Sequence, residues 1–173
     1  MATPSHNRLR VLFVDDERSL QEFMRTELPR LGHDVTVCPN GTTALQAIEQ
    51  TSFDAAILDI RMPDITGIDV LQRLKQVSPD TEAVMMTGYA TEESMVQAMR
   101  LGACDYLRKP CKLSEIEAVL LRLADKKKLK NKAAALESRV QAAEGPGLLI
   151  GSSPAMRPVN QAITQFAPTD ARV

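Results

Sequence analysis

The first apolar run of the chain, Leu9-Arg10-Val11-Leu12-Phe13-Val14, stops on two adjacent acids, Asp15 and Asp16. A second run, Ala55-Ala56-Ile57-Leu58, stops on Asp59. A third, Ala83-Val84-Met85-Met86, stops on the hydroxyl of Thr87, before Gly88. A fourth, Cys104-Asp105-Tyr106-Leu107, is soon followed by Lys109-Pro110. Open parallel sheets bind ligands at the carboxyl ends of their strands. The four runs therefore predict one small site holding three carboxylates, a hydroxyl and an ammonium. Clustered carboxylates without Cys or His suit a hard cation such as magnesium. An ammonium and a hydroxyl beside them suit a phosphoryl group. Without a cation, three crowded acids repel one another, which favours metal uptake and raises at least one pKa.

Each of these residues alone has a plainer explanation. A strand-terminal Asp often only caps a helix, and a Thr-Gly pair often only turns the chain. Lys109 fits a surface lysine and Tyr106 a core aromatic. The weight comes from their joint occurrence at the ends of strands in one sheet.

The elements that must position them alternate, strand then helix, from Leu9 to about Ala143. That order predicts βαβ units and a parallel sheet. The first helix is expected over about 18–31, with Leu20, Phe23, Met24 and Leu28 on its inner face. Pro29 falls in its last turn and Gly32 supplies a C-terminal cap. Val35-Thr36-Val37 reads as a short strand. Asn40 caps a second helix, with Ala44, Leu45 and Ile48 inward. After an irregular loop, Arg61 to Thr66, a third helix carries Ile68, Leu71 and Leu74. Thr91 caps a fourth, whose first turn holds Glu92 and Glu93, acids that suit its positive end. Met95, Val96 and Met99 form its expected inner stripe and Gly102 ends it.

From Leu113 no Gly or Pro interrupts the chain until Gly145. A helix of about thirty residues spans roughly 45 Å, and a sheet covers only its first half. Leu113, Ile116, Leu120 and Leu123 make the covering seam. The run Lys126-Lys127-Lys128-Leu129-Lys130-Asn131-Lys132 follows and reads as a solvated helix face rather than a nucleic-acid contact. Beyond it Leu129, Ala133, Leu136 and Val140 repeat at four, three and four. This second stripe has no sheet beneath it and predicts a short coiled coil with another chain. The spacing slips between Leu123 and Leu129, which predicts a break or hinge there.

The bulk numbers exclude several classes. The chain has 173 residues and a net charge of -1, with no global pull towards nucleic acid or anionic membrane. Aromatic content of 3% and no Trp argue against a base-stacking surface. Cys38, Cys104 and Cys111 show no metal spacing and read as reduced thiols of a cytosolic protein. No segment approaches the roughly 20 apolar residues of a membrane span, and the polar start lacks a signal-peptide core.

The motifs Val14-Asp15-Asp16-Glu17, Leu58-Asp59-Ile60-Arg61-Met62-Pro63, Met86-Thr87-Gly88 and Asp105-Tyr106-Leu107-Arg108-Lys109-Pro110 carry a resemblance. Residues 9–124 resemble the receiver domain of two-component response regulators. The resemblance implies an α/β fold, doubly wound, with a five-stranded parallel sheet in the flavodoxin-like order 2-1-3-4-5. It implies that Asp59 accepts a phosphoryl group from a phosphohistidine of a sensor histidine kinase, or from a small acyl phosphate. Asp16, Asp59 and the backbone carbonyl of Arg61 would bind Mg2+ directly, and Asp15 through water. Thr87 and Lys109 would hold the phosphoryl oxygens. Thr87 and Tyr106 would form the switch, and the Lys109-Pro110 bond would be cis.

The tail, Leu149-Ile150-Gly151-Ser152-Ser153-Pro154-Ala155-Met156 with Ile163 and Ala167 to Val173, resembles the start of the AAA+ ATPase domain of NtrC-type activators of sigma-54 RNA polymerase. No G-x-x-x-x-G-K-[ST] occurs, so this chain is expected neither to bind nor to hydrolyse ATP. It is not expected to be an enzyme beyond its own phosphotransfer and dephosphorylation. The expected layout is a disordered start over 1–8, a receiver over 9–124, a helical coiled-coil linker over 125–144 and the opening of a truncated ATPase domain over 145–173. The implied setting is a cytoplasmic homodimer. In the full-length protein its partners would be sigma-54 RNA polymerase, ATP and promoter DNA.

Rival readings fit less well. A flavodoxin-like nucleotide binder needs a hydroxyl- or Gly-rich loop after its first strand, where Asp15-Asp16-Glu17 repels phosphate. A phosphatase of the haloacid dehalogenase type needs an acid two residues after its nucleophile, where Arg61 stands. A dimerisation module without phosphotransfer would have no use for the full set of acids.

Overall fold

The computed structural model describes residues 8–88 and 91–144. The expected polar start at 1–7 and the tail resembling an ATPase domain, 145–173, lie outside them. Arg8, placed in that start, is tied to the sheet by an ion pair with Asp34.

Strand and helix alternate throughout: β1 (Arg10–Val14), α1 (Arg18–Arg30), β2 (Asp34–Cys38), α2 (Gly41–Gln50), β3 (Ala55–Asp59), α3 (Gly67–Val77), β4 (Glu82–Thr87), α4 (Glu92–Arg100), β5 (Ala103–Arg108) and α5 (Leu113–Glu144). The strands pair in parallel in the order β2-β1-β3-β4-β5, as expected. The side-chain period of two sends alternate residues to opposite faces. On one face Leu12, Val14, Ala56, Leu58 and Met85 meet Ala44 and Ile48 of α2, Leu71 and Leu74 of α3, and Ala98 of α4. On the other, Val11, Phe13, Ile57, Val84 and Met86 meet Met24 and Leu28 of α1 and Ile116, Leu120 and Leu123 of α5. Cover on both faces explains why β1, β3 and β4 read as unbroken apolar runs. Each large side chain so buried contributes roughly 1.5–3 kcal/mol.

Local signals set the boundaries. The Asn40 side chain accepts from Thr43 N–H and caps α2. Thr91 and Ser94 form a reciprocal capping box on α4. Gly32 and Gly102, at φ 89° and 92°, turn the chain out of α1 and α4 in a conformation that other residues rarely adopt.

Three expectations are corrected. Met95, Val96 and Met99 face outward, at 41%, 50% and 43% exposure, and Ala98 is the buried residue of α4. Ala98 is the side chain through which α4 joins the core on that face of the sheet. Phe23 also faces outward, and Gln21 takes the inner position on α1 beside Met24 and Leu28. The slip after Leu123 makes no break, because α5 runs unbroken for 32 residues. The lysine run lies on the solvated helix face, as expected, and three of its members also pair with acids. Lys126 Nζ lies 2.5 Å from Glu82 and Lys127 Nζ 2.7 Å from Asp54, while Lys130 pairs with Asp80.

The chain divides into two compact units, 1–131 and 132–173, and in the second only the helical residues 132–144 are described. Leu136 and Val140 are exposed there, at 52% and 55%. All three cysteines are free. Among the described residues no helix is long and apolar enough to cross a membrane.

Between α1 and β2, His33 is buried and its Nδ1 accepts from Leu9 N–H at 3.3 Å. Burial lowers its pKa, against the pull of Asp34 and Glu117. The unfolded ring therefore takes a proton first, and stability falls as pH drops through about 6.5. His33→Asn keeps an acceptor and does not titrate. Urea melts from about pH 7.5 to about pH 5.5 should show the wild type losing more stability than this variant. Parallel losses would contradict the assignment.

Candidate functional site

Four strands deliver their polar ends to one place. Asp15 follows β1 and is fully buried. Its N–H donates to the Cys38 carbonyl at 3.2 Å, fixing it against β2. Its carbonyl accepts from Gln21 Nε2 at 2.8 Å, and its Oδ1 from Glu17 N–H at 3.0 Å. Asp16, next in the chain, is exposed. Asp59 ends β3 at 5% exposure, and its Oδ1 accepts from Arg61 N–H at 3.2 Å. Thr87 ends β4, fully buried, and its carbonyl accepts from Lys109 N–H at 2.9 Å. That bond brings Lys109 back from beyond β5. Its Nζ stands 2.5 Å from Asp15 Oδ2 and 2.6 Å from Asp59 Oδ2. The Lys109–Pro110 bond is cis. Tyr106, on β5, is partly buried, and its hydroxyl lies 3.4 Å from Ser94 Oγ of α4.

The structure thus gathers Asp15, Asp59 and Lys109 into direct contact and sets Asp16 beside them. One carboxylate oxygen from each of Asp15, Asp16 and Asp59 lies within 4.8 Å of the others. The Arg61 carbonyl belongs to the loop that leaves Asp59. An all-oxygen donor set that is partly buried and rich in negative charge fits a hard divalent cation. Asp15 Oδ2 supports that fit, because it is buried and takes no hydrogen bond of proper geometry beyond its ion pair.

Electrostatics bind the group together. Burial pushes the Asp15 carboxyl up, and Asp59 pushes the same way, while Lys109 opposes both. Burial disfavours the Lys109 ammonium, but hydrogen bonds to Asp15 and Asp59 outweigh it and raise its pKa. The ammonium therefore stays charged between two buried acids.

Three residues of this neighbourhood escaped the sequence reading. Gln21 braces the Asp15 backbone, and a polar residue in step with Met24 and Leu28 was the available signal. Gly67 opens α3 so close to Asp59 that a Cβ there would stand 1.9 Å from the Asp59 carbonyl. Asp64 reaches from the loop after β3 to the start of α2. A helix-opening glycine and a loop acid carry no local sign of these long-range contacts.

Residues 11–121 match the response regulator receiver domain family. The chain belongs to that family. It is 31% identical over 172 residues to the transcriptional regulatory protein ZraR of Klebsiella oxytoca, covering 98% of this chain and 37% of that protein. It is 32% identical over 163 residues to the DNA-binding transcriptional regulator NtrC of Azospirillum brasilense, covering 94% of this chain and 33% of that one. A crystal structure of NtrX from Brucella abortus in complex with ATP matches with a TM-score of 0.67 and 30% identity, over 95% of this chain and 36% of that one. The chain thus spans about a third of the length of the curated relatives it matches.

Removing the Lys109 charge would leave Asp15 and Asp59 buried without a counter-ion. An uncompensated buried charge costs about 3–5 kcal/mol. Asp15, already raised, would rise further, so its ionised form would oppose folding at neutral pH and the penalty would shrink on acidification. In chelator, Lys109→Met should be destabilised by about that amount at pH 7 and recover towards wild type as pH falls. A deficit that is constant with pH would contradict the charge-balance reading.

Proposed function

We propose that this receiver is a phosphorylation-dependent response regulator in which Asp59 accepts a phosphoryl group from a sensor histidine kinase. The observation that carries this reading is the placement of Asp59, ending the central strand beside Asp15 and Asp16 and clasped by Lys109. A carboxylate is a poor nucleophile towards an anionic phosphoryl group because the two repel. Mg2+ held by Asp16, Asp59 and the Arg61 carbonyl, with Asp15 acting through water, would neutralise much of that repulsion. An Asp59 oxygen forms the new O–P bond as the bond from phosphorus to the donor imidazole breaks, and the electron pair stays with the imidazole. Lys109 then exchanges its contact with Asp59 Oδ2 for a phosphoryl oxygen. The Thr87 hydroxyl donates to another. Thr87 so drawn inward would alter the space next to Tyr106, whose hydroxyl meets Ser94 of α4. This supports Thr87 and Tyr106 as the switch pair.

Incubation with magnesium and acetyl phosphate should add one phosphoryl mass to the wild type and none to Asp59→Asn. A wild-type yield in Asp59→Asn would displace Asp59 as the acceptor.

The second half of the reading concerns the long helix. Leu129, Ala133, Leu136 and Val140 repeat with coiled-coil spacing, and Leu129 is 68% exposed. Two such helices in a parallel homodimer would cover the stripe. The stripe is only about two heptads long, so it needs added contacts from the receivers. A difference of a few kcal/mol between two arrangements is enough to invert their populations. The likeness to ZraR, NtrC and NtrX supports a place ahead of a sigma-54 activator ATPase that acts with ATP and promoter DNA in the cytoplasm. Phosphorylation would then decide how the paired receivers hold the ATPase subunits. Light scattering at tens of micromolar should report a dimer for the chain, and Leu136→Asp with Val140→Asp should weaken it at least tenfold. Unchanged dimerisation in the double variant would remove the stripe from the interface.

A further inference from the structure

The loop Ile60 to Thr66 leaves the phosphoacceptor candidate and carries the Arg61 carbonyl. A backbone amide donates at each of its two ends. Arg61 N–H donates to Asp59 Oδ1 at 3.2 Å, and Gly67 N–H donates to the Ile60 carbonyl at 3.0 Å. Its middle is held by a side chain. Asp64 Oδ1 accepts from Gly41 N–H at 3.1 Å, and its Oδ2 accepts from Thr42 N–H at 2.8 Å and from the Thr42 hydroxyl at 2.6 Å. Gly41 and Thr42 are the first two residues of α2, so these are free amides of a helix N-terminus. Asn40 caps the next amide, Thr43 N–H, at 2.9 Å. Asp64 therefore caps α2 from 22 residues away, beside the local cap. The neighbouring Ile65 settles onto Gly41, where a Cβ would stand 2.8 Å from Ile65 Cβ.

We propose that Asp64 is a positioning residue: its staple to the start of α2 fixes the loop that presents the Arg61 carbonyl to the cation. The inference rests on the magnesium and phosphoacceptor reading above and adds a residue to it. The hydroxyl of Thr42, with the two amides, holds the Asp64 carboxyl far below the usual carboxylate range, so the staple is charged at every working pH. A charged acceptor at the positive end of a helix gains from the helix dipole as well as from its hydrogen bonds. Asp64 supplies the side-chain hydrogen bonds that tie residues 62–65 to α2 among the described residues, and without them the carbonyl would sample more orientations. Groups that orient a metal ligand without touching the metal commonly set affinity by 10- to 100-fold.

A purely structural cap would act through the stability of α2 alone, and Asn40→Ala supplies that comparison. Two quantities would be measured on the full chain carrying Asp64→Ala or Asn40→Ala: amide exchange at Arg61 and Gly67, and magnesium affinity by calorimetry. Asp64→Ala should speed exchange at those amides and weaken magnesium binding roughly tenfold. Asn40→Ala, at a similar loss of Tm, should leave both near wild type. Wild-type exchange in Asp64→Ala, or equal effects of the two variants, would overturn the proposal. A wild type that takes no magnesium would refute the metal reading by itself, and the exchange comparison would still decide whether Asp64 holds the loop.

Discussion

The ammonium of Lys109, wedged between Asp15 and Asp59, is the contact on which the rest depends. Two carboxylates about 4 Å apart near a protein surface repel by about 4 kcal/mol, and burial adds a solvation cost to each. One cation within 2.6 Å of both removes most of that penalty. It also leaves the site ready for exchange, since any species that brings its own positive charge can take over one of the carboxylates. The arrangement demands that β1, β3 and β4 end at the same level and that the chain after β5 turn back across them. Register supplies the first condition, with Val14 opposite Leu58 and Asp59 opposite Met86. The bond from Lys109 N–H to the Thr87 carbonyl supplies the second.

Such a site tolerates little movement, and the surrounding structure is built to limit it. Gln21 locks the backbone of Asp15 from a helix packed on one face. Gly67 lets α3 begin within contact of the Asp59 carbonyl on the other. The strands between are buried on both faces, so a shift of one strand end would disturb two layers of close-packed side chains. The outer route is looser. The Tyr106 hydroxyl stands 3.4 Å from Ser94 Oγ, and the large apolar side chains Met95, Val96 and Met99 of α4 lie outside the core. The acids are thus held by close packing on both sheet faces, while α4 contributes little buried apolar surface beyond Ala98.

Much of this was legible in the sequence, for physical reasons. Strands buried on both faces must be apolar, so a polar residue that ends one is conspicuous, and Asp15, Asp16, Asp59 and Thr87 came from that contrast, while Lys109 and Tyr106 lie on or after the half-exposed β5 and rest on the family motif. Parallel topology then put them at one edge without any knowledge of contacts. The caps at Asn40 and Thr91 were legible because capping is local. What failed was of two kinds. Periodicity assigned Met95, Val96 and Met99 to one face of α4, but could not say that the sheet lay on the side of Ala98. Long-range polar pairs left no trace at all: Lys127 finds Asp54, and Asp64 finds Gly41 and Thr42, through turns that only the assembled fold brings together.

Those lysine pairs bear on how α5 is held at the end of the sheet opposite the acids. Because every strand runs the same way and α5 returns along them, α5 starts near the site and reaches the strand starts one domain-length later. Its buried seam ends at Leu123 and Ala124. The next turns would be free of the sheet if apolar packing alone held them. Instead Lys126, Lys127 and Lys130 meet Glu82, Asp54 and Asp80, all at the entries to β3 and β4. Exposed pairs contribute only about 0.2–1 kcal/mol each, so they add little to the stability of the fold. Their effect is directional. Three contacts within little more than one turn select one azimuth for the helix where it leaves the sheet. The orientation in which Leu129 emerges is thus set by the receiver itself, by strands whose opposite ends carry Asp59 and Thr87.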